Sequence, residues 1–282
     1  VIPSLSSIPE LQAALEEARV QERSIGLVPT MGALHEGHLS LIRRARSENG
    51  LVVVSVFVNP TQFGEHEDLR LYPRDLEGDR VLAGAAGADL VFSPTVAEMY
   101  PEGFCTWVVV EGLTAGLCGM SRPGHFRGVC TVVTKLLNIC RPQRAYFGQK
   151  DAQQLAVVKR MARDLDLGVD IVACPTVREP DGLAMSSRNA RLTTTERAQS
   201  TVLYRALQAA DNLVRGGERE AAVVKGAMLH VLAEAGSARI DYAEVVRTDD
   251  LSPVATVSGE CLAAVAVWFG CTRLIDNTVV MG

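Results

Sequence analysis

Two histidines three residues apart, in Pro29-Thr-Met-Gly-Ala-Leu-His35-Glu-Gly-His38, say the most about chemistry in this chain. The apolar stretch Ile25 to Val28 precedes them, and Leu39, Leu41, Ile42 and Ala45 follow at helical spacing. The segment therefore leaves a strand, turns on Gly32 and Gly37, and enters a helix whose first turn carries both imidazoles on one face. Unsatisfied N–H groups and the dipole at that end attract phosphate. The same field favours neutral imidazoles, whose ring N–H groups can donate to charge growing on a phosphate oxygen. A His-x-x-His pair alone fits an ordinary helix start equally well. The strand, the glycines and the helix around it are what point to a nucleotide.

Three further segments carry polar groups just past an apolar run. In Val56-Phe-Val-Asn59-Pro-Thr-Gln62-Phe63 two side-chain amides offer donor and acceptor together, which suits a small ligand bearing carboxylate and hydroxyl groups. A turn begun by Asn-Pro explains Asn59 just as well. Phe147-Gly148-Gln149-Lys150-Asp151, followed by Gln154, again passes from strand through glycine into helix, with Lys150 set to meet phosphate and Asp151 either in the site or capping the helix. Leu183-Ala-Met185-Ser186-Ser187-Arg188-Asn189 puts two hydroxyls and a guanidinium in succession, a clamp for a triphosphate or, on composition alone, a polar linker.

The elements that position these groups alternate. Ser7 and Glu10 start a helix over 8–19. Strands are expected at 25–28, 51–58, 89–92, 106–110, 145–147 and 169–173, and helices at 75–86, 126–140 and 152–165. The near-continuous apolar run Leu51 to Val58 suits a central strand covered on both faces. The pattern predicts a doubly wound, Rossmann-like parallel sheet over residues 1–176, with each polar segment beyond a strand's carboxyl end, where open α/β sheets hold their ligands. After the Glu179-Pro-Asp-Gly182 loop the texture changes to helices over 194–214 and 219–235 and β runs at 240–246, 261–269 and 274–280. These predict a smaller α+β domain over 177–282.

Bulk properties narrow the field. The 282 residues are 48% hydrophobic and 22% charged with net charge -5, which suits a globular protein and argues against a nucleic-acid surface. The longest apolar run is too short to span a membrane, and no basic, apolar leader opens the chain, so a cytoplasmic location is expected. Seven scattered cysteines without a Cys-x-x-Cys pair read as reduced core thiols, and the histidines show no zinc spacing with them.

The four segments, in this order, together with Arg122-Pro-Gly-His-Phe-Arg-Gly128 and Thr272-Arg-Leu-Ile-Asp-Asn277, resemble pantothenate synthetases over nearly the whole chain. That family lies in the nucleotidyltransferase superfamily, which shares its His-x-Gly-His signature with one class of aminoacyl-tRNA synthetases. The resemblance implies ATP-dependent condensation of pantoate with β-alanine through a pantoyl-adenylate, with Mg²⁺ and a homodimer. It implies that His38 is catalytic, assisted by His35, Lys150, Ser186, Ser187 and Arg188. ATP would meet Met31, Gly32, His35, His38, Gly148, Gln149, Lys150, Asp151, Val177, Met185 and Ser186 to Arg188. Pantoate would meet Gln62 and Gln154, with Asn59 and Met31 beside it and β-alanine near Gln62. Tyr72 and Asp79 match a mobile wall over the site. Residues 76–78 lack the acidic cluster some members carry there, so the Mg²⁺ ligands stay unassigned. Two other readings are a nucleotidyltransferase that releases only pyrophosphate, and a nucleotide-sensing module without turnover.

Overall fold

A computed structural model describes residues 1–64, 69 and 72–282; His66, one of the histidines weighed above, lies outside them. Local signals place the first elements. β1 (Ser4–Leu5) leads into α1 (Ile8–Val20), whose N-cap Ser7 accepts a hydrogen bond from the Glu10 amide. β2 (Ile25–Thr30), α2 (Glu36–Glu48) and β3 (Leu51–Val56) follow, then α3 (Leu76–Ala85), β4 (Leu90–Phe92) and the short α4 (Val96–Met99) and α5 (Leu117–Ser121). The buried α6 (His125–Cys140) leads to β5 (Arg144–Gly148), α7 (Ala152–Asp164) and β6 (Asp170–Cys174).

The six strands form one parallel sheet in the order β1-β4-β3-β2-β5-β6. From β2 the chain builds outward through β3 and β4, then returns by α6 to add β5 on the other side of β2. The winding therefore reverses between β2 and β5, and the crevice for a ligand opens beyond their carboxyl ends. Leu51 to Val54 of β3 are all buried because helices cover both faces of the sheet. Val28, Ile42, Ala45, Val52, Val54 and Val91 make a core between the sheet and α2 and α3.

The remaining chain forms α8 (Thr194–Gln199), α9 (Val202–Arg215), α10 (Ala221–Leu232) and the antiparallel strands β7 (Ala238–Arg247), β8 (Glu260–Phe269) and β9 (Thr272–Met281), ordered β7-β8-β9. Leu203, Ala206, Leu207 and Ala210 of α9 and Val224 and Met228 of α10 pack on Val265, Val267 and Val280 of this sheet. The chain divides into two compact units. One holds Val1–Glu111, Arg122–Gln149 and Val157–Pro175, and the other holds Gly112–Ser121, Lys150–Ala156 and Thr176–Gly282. Among the described residues no helix is long and apolar enough to cross a membrane.

Three expectations are corrected. Residues 106–110 form no strand. The segment lies along α6 instead, where Thr131 Oγ1 accepts from Val108 N at 3.1 Å, the Arg127 guanidinium stands 4.6 Å over the Trp107 ring, and the Lys135 ammonium 5.3 Å over Phe104. Residues 127, 131 and 135 are one stripe of a helix, so side chains rather than a neighbouring strand satisfy this β-prone run. The helix expected over 194–214 is two helices, because buried Ser200 ends α8 and turns its hydroxyl onto the Arg197 carbonyl at 2.8 Å. Of the seven cysteines, Cys105 and Cys271 are exposed rather than core thiols.

Candidate active site

The turn after β2 is held from below. Gly32 (φ +81°) and Ala33 (φ 51°) both take left-handed backbone, and Asp79 of α3 closes the turn, accepting from Ala33 N at 3.0 Å and Leu34 N at 2.7 Å. A Cβ at Gly32 would lie 2.7 Å from Asp79 Oδ2 and 2.9 Å from Val56, so both conformation and space require glycine. Asp79 is only 3% exposed and sits beneath the turn. Burial pushes its carboxyl above the usual range, partly offset by the two amides.

His35 and His38 then occupy the N-cap and third positions of α2, the spacing of a capping box. His35 Nδ1 accepts from Gly37 N at 3.2 Å, and His38 Nδ1 accepts from His35 N at 3.4 Å. Backbone N–H groups can only donate, so both rings are acceptors at Nδ1, and each neutral ring carries its proton at Nε2. The rings are 4.1 Å apart between centroids, side by side at the positive end of the helix. The geometry thus makes two oriented N–H donors from groups that also cap the helix.

Past β3, Asn59 Nδ2 donates to the Gly128 carbonyl at 3.1 Å and to Gln62 Oε1 at 3.0 Å. Tyr100 Oη and Thr61 Oγ1 donate to Asn59 Oδ1 at 2.8 and 2.9 Å. The carbonyl partner fixes which end of Asn59 is nitrogen, and Asn59 in turn fixes Gln62 with its Oε1 inward. Gln62 therefore turns its NH₂ the other way, 3.2 Å from Met31 Sδ. Asn59 is 1% exposed, which places it behind Gln62 as the group that orients it. His125 Nδ1 stands 2.9 Å from the Gln62 carbonyl, and a Cβ on Gly128 would lie 2.4 Å from the Thr61 carbonyl oxygen, so α6 presses directly on this turn. Tyr72 is buried, its ring nearly perpendicular to that of Phe63 at 6.1 Å between centroids. A cavity of about 290 Å³ at the ends of β2, β3 and β4 reaches Met31 and Asp79.

Beyond β5, Gly148 faces open space where a side chain would stand, and Gln149–Asp151 make one tight turn before α7. The first unit thus brings together Met31, Gly32, His35, His38, Asn59, Gln62, Gly148 and Gln149 around the ends of β2, β3 and β5. The second unit contains Lys150, Asp151, Gln154, Val177 and Met185 to Arg188. There the Lys150 ammonium lies 3.7 Å from Asp151, and Gln154 is half-buried on α7. Residues 178–184 form a tight hairpin closed by the Met185 N to Val177 O bond at 3.0 Å. Ser186 caps the short turn Ser187–Arg191, accepting from Arg188 N at 3.2 Å, so the expected loop is a wound turn with Ser187 and Arg188 on it.

Sequence reasoning missed Asp79 as a brace, Tyr100, His125, and the capping role of the two imidazoles. The last was readable, since His-x-x-His has capping-box spacing. The others become visible only when distant elements meet.

The model of the pantoate-beta-alanine ligase family matches residues 4–279. A pantothenate synthetase of Thermotoga neapolitana is 56% identical over 275 residues, covering 98% of this chain and 98% of that protein. The crystal structure of pantothenate synthetase from Thermus thermophilus superposes with a TM-score of 0.94 at 50% identity, covering 98% and 99% of the two chains. The pantoate-beta-alanine ligase of Francisella tularensis, solved with a β,γ ATP compound and β-alanine, gives 0.82 at 33% identity over 99% and 98%.

Proposed function

Since the chain belongs to the pantoate-beta-alanine ligase family and joins pantoate to β-alanine at the expense of ATP, we propose that it does so by the residues named above, through a pantoyl-adenylate. The observation that carries this assignment is the pair of imidazoles at the start of α2, each locked by a backbone N–H at Nδ1. Adenylation is an in-line displacement at the α-phosphorus, so the protein must align the carboxylate and disperse charge on the departing pyrophosphate. His38 and His35 donate from Nε2 to phosphate oxygens. Lys150, Ser186, Ser187 and Arg188 supply the remaining donors, and Met31, Gly32, Gly148, Gln149, Asp151, Val177 and Met185 line the nucleotide. Gln62, its NH₂ turned outward by Asn59, donates to pantoate, with Gln154 as second partner. The amine of β-alanine then attacks the acyl carbon and expels AMP, while the domain over 177–282 closes to keep water from the anhydride.

Mg²⁺ would come with the nucleotide and neutralise charge on its phosphates; among the described residues no three His, Cys, Asp or Glu side chains cluster, and no ligand on this chain is assigned to it. A homodimer and a cytoplasmic location complete the proposal. Exposed Trp107 and Val109 offer a second copy an apolar surface, and seven free thiols suit a reducing compartment. The test omits one substrate at a time. ATP and pantoate alone should release about one pyrophosphate per active site, and adding β-alanine should yield AMP and pantothenate. Pyrophosphate release that requires β-alanine contradicts the order of steps.

A further inference from the structure

β9 carries two consecutive buried polar residues, Asp276 at 2% and Asn277 at 6% exposure, in a strand whose Leu274 and Val280 pack in the core. Consecutive residues of a strand point to opposite faces, and each of these reaches a different loop. Asn277 Nδ2 donates to the Lys150 carbonyl at 2.8 Å, 127 residues away in sequence. Asp276 takes the Arg178 guanidinium in a two-pronged pair at 2.6 and 3.1 Å, and its Oδ1 also accepts from Asn277 N at 2.8 Å. Arg178 further donates to the Gly182 carbonyl at 3.0 Å and lies 4.3 Å over the Tyr204 ring, so the 178–184 hairpin is clamped just before Met185 to Arg188. All of these contacts lie within the second unit.

Burying a carboxylate and an amide where apolar side chains would pack costs solvation, and a buried ion pair returns little net stability. What the arrangement does supply is fixed geometry between the Lys150 turn and the 178–184 hairpin, both tied to β9. We infer that Asp276 and Asn277 are positioning residues for adenylation: β9 holds the Lys150 turn and the Ser186–Arg188 turn at a set separation, each through one polar side chain. The inference rests on the proposed assignment of those turns to ATP.

The experiment measures the half-reactions separately. Pantoate-dependent pyrophosphate release reports adenylation, and preformed pantoyl-adenylate with β-alanine reports amide formation. Asn277→Ala, the isosteric Asn277→Asp and the charge-preserving Arg178→Lys should each slow adenylation and raise the KM for ATP, together roughly 10- to 100-fold in kcat/KM, the scale of a misplaced catalytic group. Amide formation should change less than about twofold, a split that general loosening of the fold would not give. In a Lys150→Ala background, Asn277→Ala should add little, because it acts through Lys150. If Lys150→Ala slows adenylation but the Asn277 and Arg178 variants leave it intact, or slow both half-reactions equally, the inference fails alone. If Lys150→Ala itself has no effect, the assignment of the turn to ATP fails with it.

Discussion

Replacing Gly128 by alanine should damage the proposed pantoate site from behind, through the backbone of the 60–62 turn. In α6 the new Cβ would sit 2.4 Å from the Thr61 carbonyl oxygen, 2.5 Å from its carbon and 2.6 Å from Gln62 N. All three are backbone atoms, so no rotamer change relieves the clash, and ordinary contact requires the 60–62 turn or the helix to give by about 1 Å. Gln62 rides on that turn, and displacement on this scale costs on the order of 10²-fold in rate when it misplaces a substrate-holding group. Helix propensity works the other way, favouring alanine by about 1 kcal/mol, against an overpacking cost of about 1–3 kcal/mol. Net stability should therefore fall only modestly while kcat/KM for pantoate falls roughly 10²-fold. Gly226→Ala in α10 is the control. Its Cβ would meet open space, so it should gain about 0.5–1 kcal/mol and leave the kinetics unchanged. Thermal unfolding and initial rates of pyrophosphate release over a pantoate series measure both. A Gly128→Ala enzyme with at least half of the parent kcat/KM would show that α6 does not set Gln62.

The remaining predictions concern the first unit and the thiols. His38→Ala should slow adenylation by on the order of 10²–10³, the loss of one preorganised donor, with His35→Ala similar and both folded; near-normal pantoate-dependent pyrophosphate release would remove the imidazole from the mechanism. Burial raises the Asp79 carboxyl above its unfolded value, so folding favours its protonated form: that contribution is full at low pH and lost as pH rises through the folded value. Wild type should therefore gain stability relative to Asp79→Asn as pH is lowered from about 7 to about 4, and denaturant titrations showing a pH-independent difference would contradict this. Cys105 and Cys271 should react promptly with a maleimide in the native enzyme, and all seven thiols in denaturant. Burial pushes the Cys130 and Cys140 thiols up to about 12, so a mass increase showing either modified at the rate of the exposed pair is the contrary result.

Much of the fold was legible because the signals were local. Ser7 and the Leu51 run each specify an element through neighbours in sequence, and the structure keeps both. Residues 106–110 misled because β propensity describes fit to a half-buried surface, and α6 provides that surface as well as a strand would. In the site, the sequence offered the loop residues but not their supports. Asn59 looked like a ligand group, yet its amide is consumed by Thr61 and Gln62 beside it and by Tyr100 and Gly128, 41 and 69 residues away, which only the fold brings to it. Asp79 is similar: nothing near it in sequence says that its two oxygens will close a turn 45 residues earlier.

The most direct test follows oxygen. A carboxylate that attacks the α-phosphorus leaves one of its own oxygens on that phosphate when the amide forms. Pantoate carrying heavy oxygen in its carboxylate, turned over with ATP and β-alanine, should therefore give AMP bearing one labelled oxygen, with none in pyrophosphate or inorganic phosphate. Unlabelled AMP, or label in inorganic phosphate beside ADP, would show that the carboxylate is not activated as an adenylate.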